Sequence, residues 1–488
     1  MNAAARRTRL TIAGFVIASI LPVLWFAHLP LVDYPNHLAR LYIHHVLPNN
    51  SYLSQFFIFN WIFTPYLGLD LLAEPFLSYF SAEVAGNIVI LISLIVTYSS
   101  TIFLDRQLNK EKWGLSLFSG IFLYNGALKL GFVNYIIGVG FAILAFGAWV
   151  HNREKTGWLW LILSCVLSGL VFVMHLYAFG IYAICVAGYE CSVFLERLIT
   201  ERRLQLSRLR VPFNGAVSLV VPLLALQLTE LSANYGLTEW EWGSLRWKAR
   251  AIASPIVFSD YFTEIPLLIA VSIILVGALA TRIIVVNSRM LIPLIAFGAI
   301  FAVMPFMLLG SAFADYRMPS GVAFFALASL RWGNTSPARI NAVSSLLAAC
   351  LAVRVASVIS QWQPAQAVIE EYDAALKQIP PGSRLFVLLD RNTSFWDDHM
   401  SSLLHVAVFA ATKRGAFVPY IFADNGESPT RGVDLLKLTP AYRDYQNIHE
   451  IERYDYLLDM RKHEAAIGSA VSLKEIARGQ TFVLYQIR

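Results

Sequence analysis

The sequence predicts an α-helical polytopic membrane protein of about eleven transmembrane helices, followed by a small C-terminal α/β domain. Three observations predict it. Of 488 residues, 57% are hydrophobic and only 14% are charged, whereas a soluble domain carries about 25% charged residues. The apolar residues fall in long runs, and a span needs about 20 of them to cross a hydrocarbon core of about 30 Å. After about residue 360 the long runs give way to short β-like segments.

The runs place spans at 9–28, 83–104, 113–128, 130–150, 157–174, 176–196, 211–229, 264–281, 290–310, 319–333 and 340–359. The first follows Arg6, Arg7 and Arg9. It is longer than a signal-peptide core of about 7–15 residues and no A-x-A-like site follows it, so it reads as an uncleaved span. Cytoplasmic loops collect Lys and Arg, and every alternate loop here is basic. These loops hold Arg106, Lys110 and Lys112; Arg153 and Lys155; Arg197, Arg202, Arg203, Arg208 and Arg210; Arg282 and Arg289; Arg331 and Arg339. The other loops hold fewer, namely Arg40, Lys129, Arg246, Lys248, Arg250 and Arg317. This puts the N-terminus inside and the C-terminal domain outside a bacterial-type cytoplasmic membrane. The net charge of +6 is then a topology signal, and no nucleic-acid partner is expected. Cys165, Cys185, Cys191 and Cys350 all lie in apolar runs without zinc-site spacing.

Two outer segments are long. In 29–82, the stretches 36–47 and 68–80 are amphipathic enough to lie in the interface as short helices. In 230–263, Glu239-Trp240-Glu241-Trp242 and Trp247 suit either an aromatic belt at headgroup level or a sugar-stacking platform. Residues 1–360 form the membrane domain and 361–488 the soluble one. Pro380-Pro381-Gly382 is a loop signal. β-like runs at 384–390, 417–423, 454–460 and 481–488 alternate with helical patterns at 364–379 and 400–412, which suggests an α/β domain.

The groups that bear chemistry gather on the outer side. Asp33 follows the first span directly, and an ionisable group beside the membrane is a site candidate by default. Asp33, His37 and Arg40 are spaced i, i+4, i+7, so a helix through them shows all three on one face. Asp33 is a candidate general base for an acceptor hydroxyl. Ahead of Tyr34-Pro35 it is equally a candidate N-cap. His28, His37, His44 and His45 cluster here without a metal-binding signature, so no metal ligand is assigned. Asp70 and Glu74 are a second acid pair or the wet face of an interfacial helix. His175, at the junction of spans five and six, either serves the site or ties two helices together. Asp315 and Arg317 share the tight loop before span ten. Arg317 suits a phosphate through its planar fork, and Arg354 in the last span either snorkels outward or shares that anion.

The layout resembles the GT-C superfamily of integral-membrane glycosyltransferases. The matching parts are Leu31-Val32-Asp33-Tyr34 after span one, the amphipathic stretches before span two, and the domain after residue 360. Many members carry paired acids where this chain has Asp33 alone. The resemblance implies a polyprenyl-phosphate-linked sugar donor and a glycan, lipid or protein acceptor on the periplasmic side. Asp33 would act as base, with Arg317, Arg354, His37, His175 and Asp315 around the lipid phosphate. No cofactor is certain, and a divalent metal is compatible. Two other classes compete. One is a secondary transporter, whose usual inverted repeats are not seen here. The other is an O-antigen ligase or polymerase working through Arg246 and Arg250.

Overall fold

The computed structural model describes residues 3–110, 114–155, 157–201, 209–229, 240–308, 311–389, 403–419, 421–422, 430–432, 448–460 and 472–488. Lys112, Arg202, Arg203, Arg208 and Glu239 lie outside them, as do parts of the expected 400–412 helix and 417–423 strand.

Helix α1 (Ala3–Trp25) leads to two short helices, α2 (Tyr34–Val46) and α3 (Gly68–Leu77), where the interfacial stretches were expected. Next come α4 (Ala82–Asn109), a 3-10 segment (Leu115–Phe122), the short α5 (Gly126–Lys129), α6 (Val133–Asn152), α7 (Trp158–Met174), α8 (Leu176–Glu201) and α9 (Arg210–Leu226). Beyond them are α10 (Leu245–Ala253), α11 (Tyr261–Ala280), α12 (Leu291–Val303), α13 (Ala314–Ala328) and α14 (Pro337–Leu376). Among the described residues, five helices are long and apolar enough to cross a membrane, and four shorter apolar helices accompany them. The chain is a multi-pass membrane protein.

The structure corrects several boundaries. The third expected span is not an α-helix: Leu115–Phe122 is 3-10 and every one of its residues is buried. Backbone that is not α-helical survives at membrane depth only where protein covers it. The last expected span and the 364–379 helix are one 40-residue helix, α14, with Pro364 inside it. The β-rich end forms a four-stranded sheet from β4 (Leu385–Leu389), β6 (Tyr456–Met460), β7 (Leu473–Arg478) and β8 (Val483–Ile487), in the order β4-β6-β8-β7. Only the β4–β6 pair is parallel. Strand β7 was not expected: its charged Lys474, Glu475 and Arg478 mask the period. Phe417, expected in a strand, makes an isolated bridge to Arg384, and the expected 400–412 helix is observed as α15 (Phe409–Arg414).

This end of the chain is tied to the first loop. Strand β1 (Phe57–Phe59) pairs antiparallel with β5 (Thr430–Gly432), and Phe56 stacks on Phe417 at 4.2 Å. The Tyr372 hydroxyl on α14 donates to the Ala407 carbonyl at 2.9 Å. Lys413 bridges Glu83 at 2.8 Å and Asp373 at 3.3 Å.

Candidate active site at the Asp33 end

One turn organises the site. The Asn125 side chain caps α5 by accepting from Leu128 N at 3.0 Å. The chain then reverses through Gly131 at φ +84°. Val32 N donates to Lys129 O at 3.0 Å and Asp33 N to Leu130 O at 3.1 Å. A Cβ on residue 131 would lie 2.6 Å from Asp33 N and 2.9 Å from Tyr34 N. Only glycine allows both the left-handed turn and the approach of the Asp33 backbone.

Asp33 stands at the N-cap of α2, with Pro35 in the first turn, yet its side chain makes no capping bond. The cap reading is therefore corrected. Its Oδ1 instead lies 3.2 Å from His405 Nε2, with the carboxylate 18% exposed and the imidazole buried. The edge of Phe422 packs near both His405 (5.3 Å) and His37 (6.5 Å), and Phe422 N donates to Asn36 Oδ1 at 3.2 Å. Burial, and then the Arg40 charge, lower the His37 pKa to about 3, so its ring is neutral at ordinary pH. Arg40 does not join this group. Its Nη2 is 2.6 Å from Asp70 Oδ2, and both are buried. Asp70 is thus not on a wet face: Arg40 draws it inward. Glu74 does stay wet, 47% exposed and 3.2 Å from His44.

Arg317 lies elsewhere, in a cavity of about 540 Å³. Its guanidinium sits 4.1 Å from the Phe132 ring centroid and 5.2 Å from that of Tyr177. Nη1 donates to Ala312 O at 2.6 Å, whereas the buried Nε has no partner among the described residues. Tyr66, Tyr135 and Tyr177 line the cavity beside Arg317, and Phe179, Ile184, Leu223, Leu226 and Met304 line its apolar remainder. On α8 the lining runs from Leu176 to Ile184, about 12 Å along the helix at about 1.5 Å per residue. Among the described residues, neither Asp33 nor 240–263 lines it. His175 stands behind the wall, its ring among Tyr66, Tyr135 and Tyr177. Its Nδ1 accepts from Tyr177 N at 3.1 Å, which ties the α7–α8 junction.

Two expected phosphate contacts are committed to structure. Asp315 is fully buried, accepting from Trp247 Nε1 at 2.9 Å and pairing with Lys248 at 3.0 Å, so it anchors α10. Arg354 neither snorkels nor reaches Arg317. It is wholly buried, 3.0 Å from Glu264, and donates to Tyr124 O. Lys129 also bonds Glu264, whose other oxygen accepts from Phe258 N at 2.7 Å. Sequence reasoning missed Glu264 because it opens an apolar helix. It missed His405 because nothing near that residue in the sequence points to Asp33. No group of three or more His, Cys, Asp or Glu among the described residues is placed to hold a metal ion.

The 130–132 turn links the two regions. Leu130 and Gly131 fix Asp33, and Phe132 lies under Arg317. The arrangement offers an accessible carboxylate on one side, and a cation above an apolar slot on the other.

No protein-family model matches the chain, and no curated protein sequence matches it. Among solved structures it is similar to ArnT from Cupriavidus metallidurans in the apo state, at 10% identity and a TM-score of 0.57, covering 99% of this chain and 98% of that one. It is similar also to the same protein bound to undecaprenyl phosphate, at 10% identity, a TM-score of 0.56 and the same coverage. The likeness is one of fold and runs end to end.

Proposed function

The chain has the GT-C fold, and from that premise we propose that it is an inverting membrane glycosyltransferase using a polyprenyl-phosphate-linked sugar. Asp33 takes the proton of an acceptor hydroxyl. The hydroxyl oxygen attacks C1 of the sugar, the bond from C1 to the phosphate oxygen breaks, and polyprenyl phosphate leaves. Arg317 faces the charge that develops on that phosphate, where a preorganised cation has most effect. The apolar lining along α8 and α9 takes the first isoprene units.

One observation carries the reading: the 130–132 turn fixes the backbone of an accessible carboxylate, Asp33, and sets Phe132 against Arg317, which lines an apolar cavity. The bound ligand of the ArnT neighbour, undecaprenyl phosphate, has the amphiphile chemistry such a cavity suits. The basic-loop pattern favours an inner-membrane protein with the Asp33 end outside, which makes the acceptor periplasmic. Arg354 is left out of this reading, and Asp315 and His175 support it only by positioning α10 and the cavity wall.

The test uses purified full-length protein in nanodiscs and a panel of undecaprenyl-phosphate-linked labelled sugars. Asp33→Asn is expected to lower turnover by about 10²–10⁴-fold at unchanged melting temperature. Arg317→Ala is expected to weaken undecaprenyl phosphate binding about 10-fold or more, the scale of a charge-assisted contact. An Asp33→Asn protein that folds and turns over at the wild-type rate would end the proposal.

A further inference from the structure

We infer that His405 is a positioning residue for the Asp33 carboxylate, so that the C-terminal segment supplies part of the catalytic apparatus of the membrane bundle. The inference rests on the glycosyl-transfer reading above.

The contact joins distant parts of the chain. His405 Nε2 lies 3.2 Å from Asp33 Oδ1. The placement of His405 is over-determined. Its carbonyl accepts from Val408 N at 3.0 Å, opening the 3-10 turn Val406–Val408. The Ala407 carbonyl in that turn accepts from Tyr372 on α14. Lys413 on α15 holds Glu83 and Asp373. Phe422, whose edge meets the His405 ring, is held by Asn36 on α2. The same segment therefore grips α2, α4 and α14 around one carboxylate. A surface domain that merely rests on the bundle has no need to place a buried imidazole on the carboxylate that follows the first helix.

The chemistry suits a base. An Nε2–H donor on Oδ1 fixes the carboxylate rotamer and leaves Oδ2, with its lone pairs, for the acceptor hydroxyl. Among the described residues, His37 lies across Phe422 and is neutral, and Arg40 is engaged by Asp70. Orienting partners of this kind act by holding a reactive group within a fraction of an ångström of its working position.

The experiment compares wild type, His405→Ala, His405→Gln and Asp33→Asn in nanodiscs with the undecaprenyl-phosphate sugar panel. His405→Ala is expected to lower kcat by about 10–100-fold, with the KM for the lipid donor within about twofold. His405→Gln keeps an N–H donor and should recover most of kcat. An inactive Asp33→Asn beside a His405→Ala with wild-type kcat overturns the inference and leaves the functional reading standing. An active Asp33→Asn overturns both. If His405→Ala does not fold, His405→Met, of similar bulk and without an N–H donor, decides: wild-type kcat, with any loss confined to KM, refutes the positioning role.

Discussion

Two charged clusters adjoin the same turn, and they are built in opposite ways. Lys129, Glu264 and Arg354 are all buried, and Arg354 and Glu264 are wholly so. Glu264 accepts from Lys129 and Arg354 on one oxygen and from the Phe258 and Ser259 amides on the other. Asp33, whose amide pairs with Leu130 in the same turn, has one side-chain partner among the described residues, His405, and keeps solvent access. A saturated acid has no capacity left for a substrate proton, whereas an acid with one oxygen engaged and the other open does. Charge near the membrane is thus not by itself a mark of chemistry. Spare hydrogen-bonding capacity together with access is the better criterion, and by access the two arginines of the sequence reading separate: Arg354 is wholly buried and paired with Glu264, whereas Arg317 lines a cavity.

The sharpest way to break this contrast is to neutralise each acid in turn. Glu264→Gln leaves Lys129 and Arg354 as uncompensated buried cations, a change that costs about 3–5 kcal/mol. The expected result is a large fall in melting temperature or in yield of folded protein, with any surviving molecules still able to transfer sugar. Adding Arg354→Met should return part of the lost stability, since replacing a buried ion pair by apolar groups is often near neutral. Asp33→Asn should do the reverse, sparing stability and removing turnover. Thermal unfolding in detergent, run beside the nanodisc assay, reads both. A Glu264→Gln protein as stable as wild type but inactive would place the chemistry in the wrong cluster.

Much of the fold was legible because hydropathy and the basic loops act over whole helices. Where the chain departs from α-helix the signal fails: Leu115–Phe122 is as apolar as any span, and nothing in its composition distinguishes 3-10 from α. Residue 360 looked like a boundary because charge rises there, yet α14 continues to Leu376. Of the site, Asp33 and Arg317 could be found from position alone, one after the first span and one in a tight loop. Their partners could not. His405 meets Asp33 only through tertiary folding, and Arg354 read as available because its partner Glu264 lies far away in sequence. The i, i+4, i+7 face was half right: His37 turns toward the Asp33–His405 pair through Phe422, while Arg40 is pulled aside by a buried acid on α3.

A subtler perturbation sharpens the same contrast without touching any charge. Gly131 is where the turn comes closest to Asp33, at a positive φ and with room for no Cβ. Gly131→Ala must either push the Asp33 amide away or change the turn itself, and backbone strain of this kind costs about 1–3 kcal/mol. The Asp33 carboxylate and the Phe132 ring beneath Arg317 are both one residue or less from the displaced atoms. Small misplacements of a reacting group reduce rates steeply, about 100-fold for 1 Å, so a shift of a few tenths of an ångström should lower kcat about 10-fold. The Glu264–Arg354 pair lies on α11 and α14, away from the turn, and should hold. The control is Gly169→Ala on α7, where an added Cβ meets nothing within 4 Å; it should leave rate and melting temperature near wild type. If Gly131→Ala loses stability but keeps full kcat, the turn is only a structural hinge and the carboxylate it carries does not need to be placed with care.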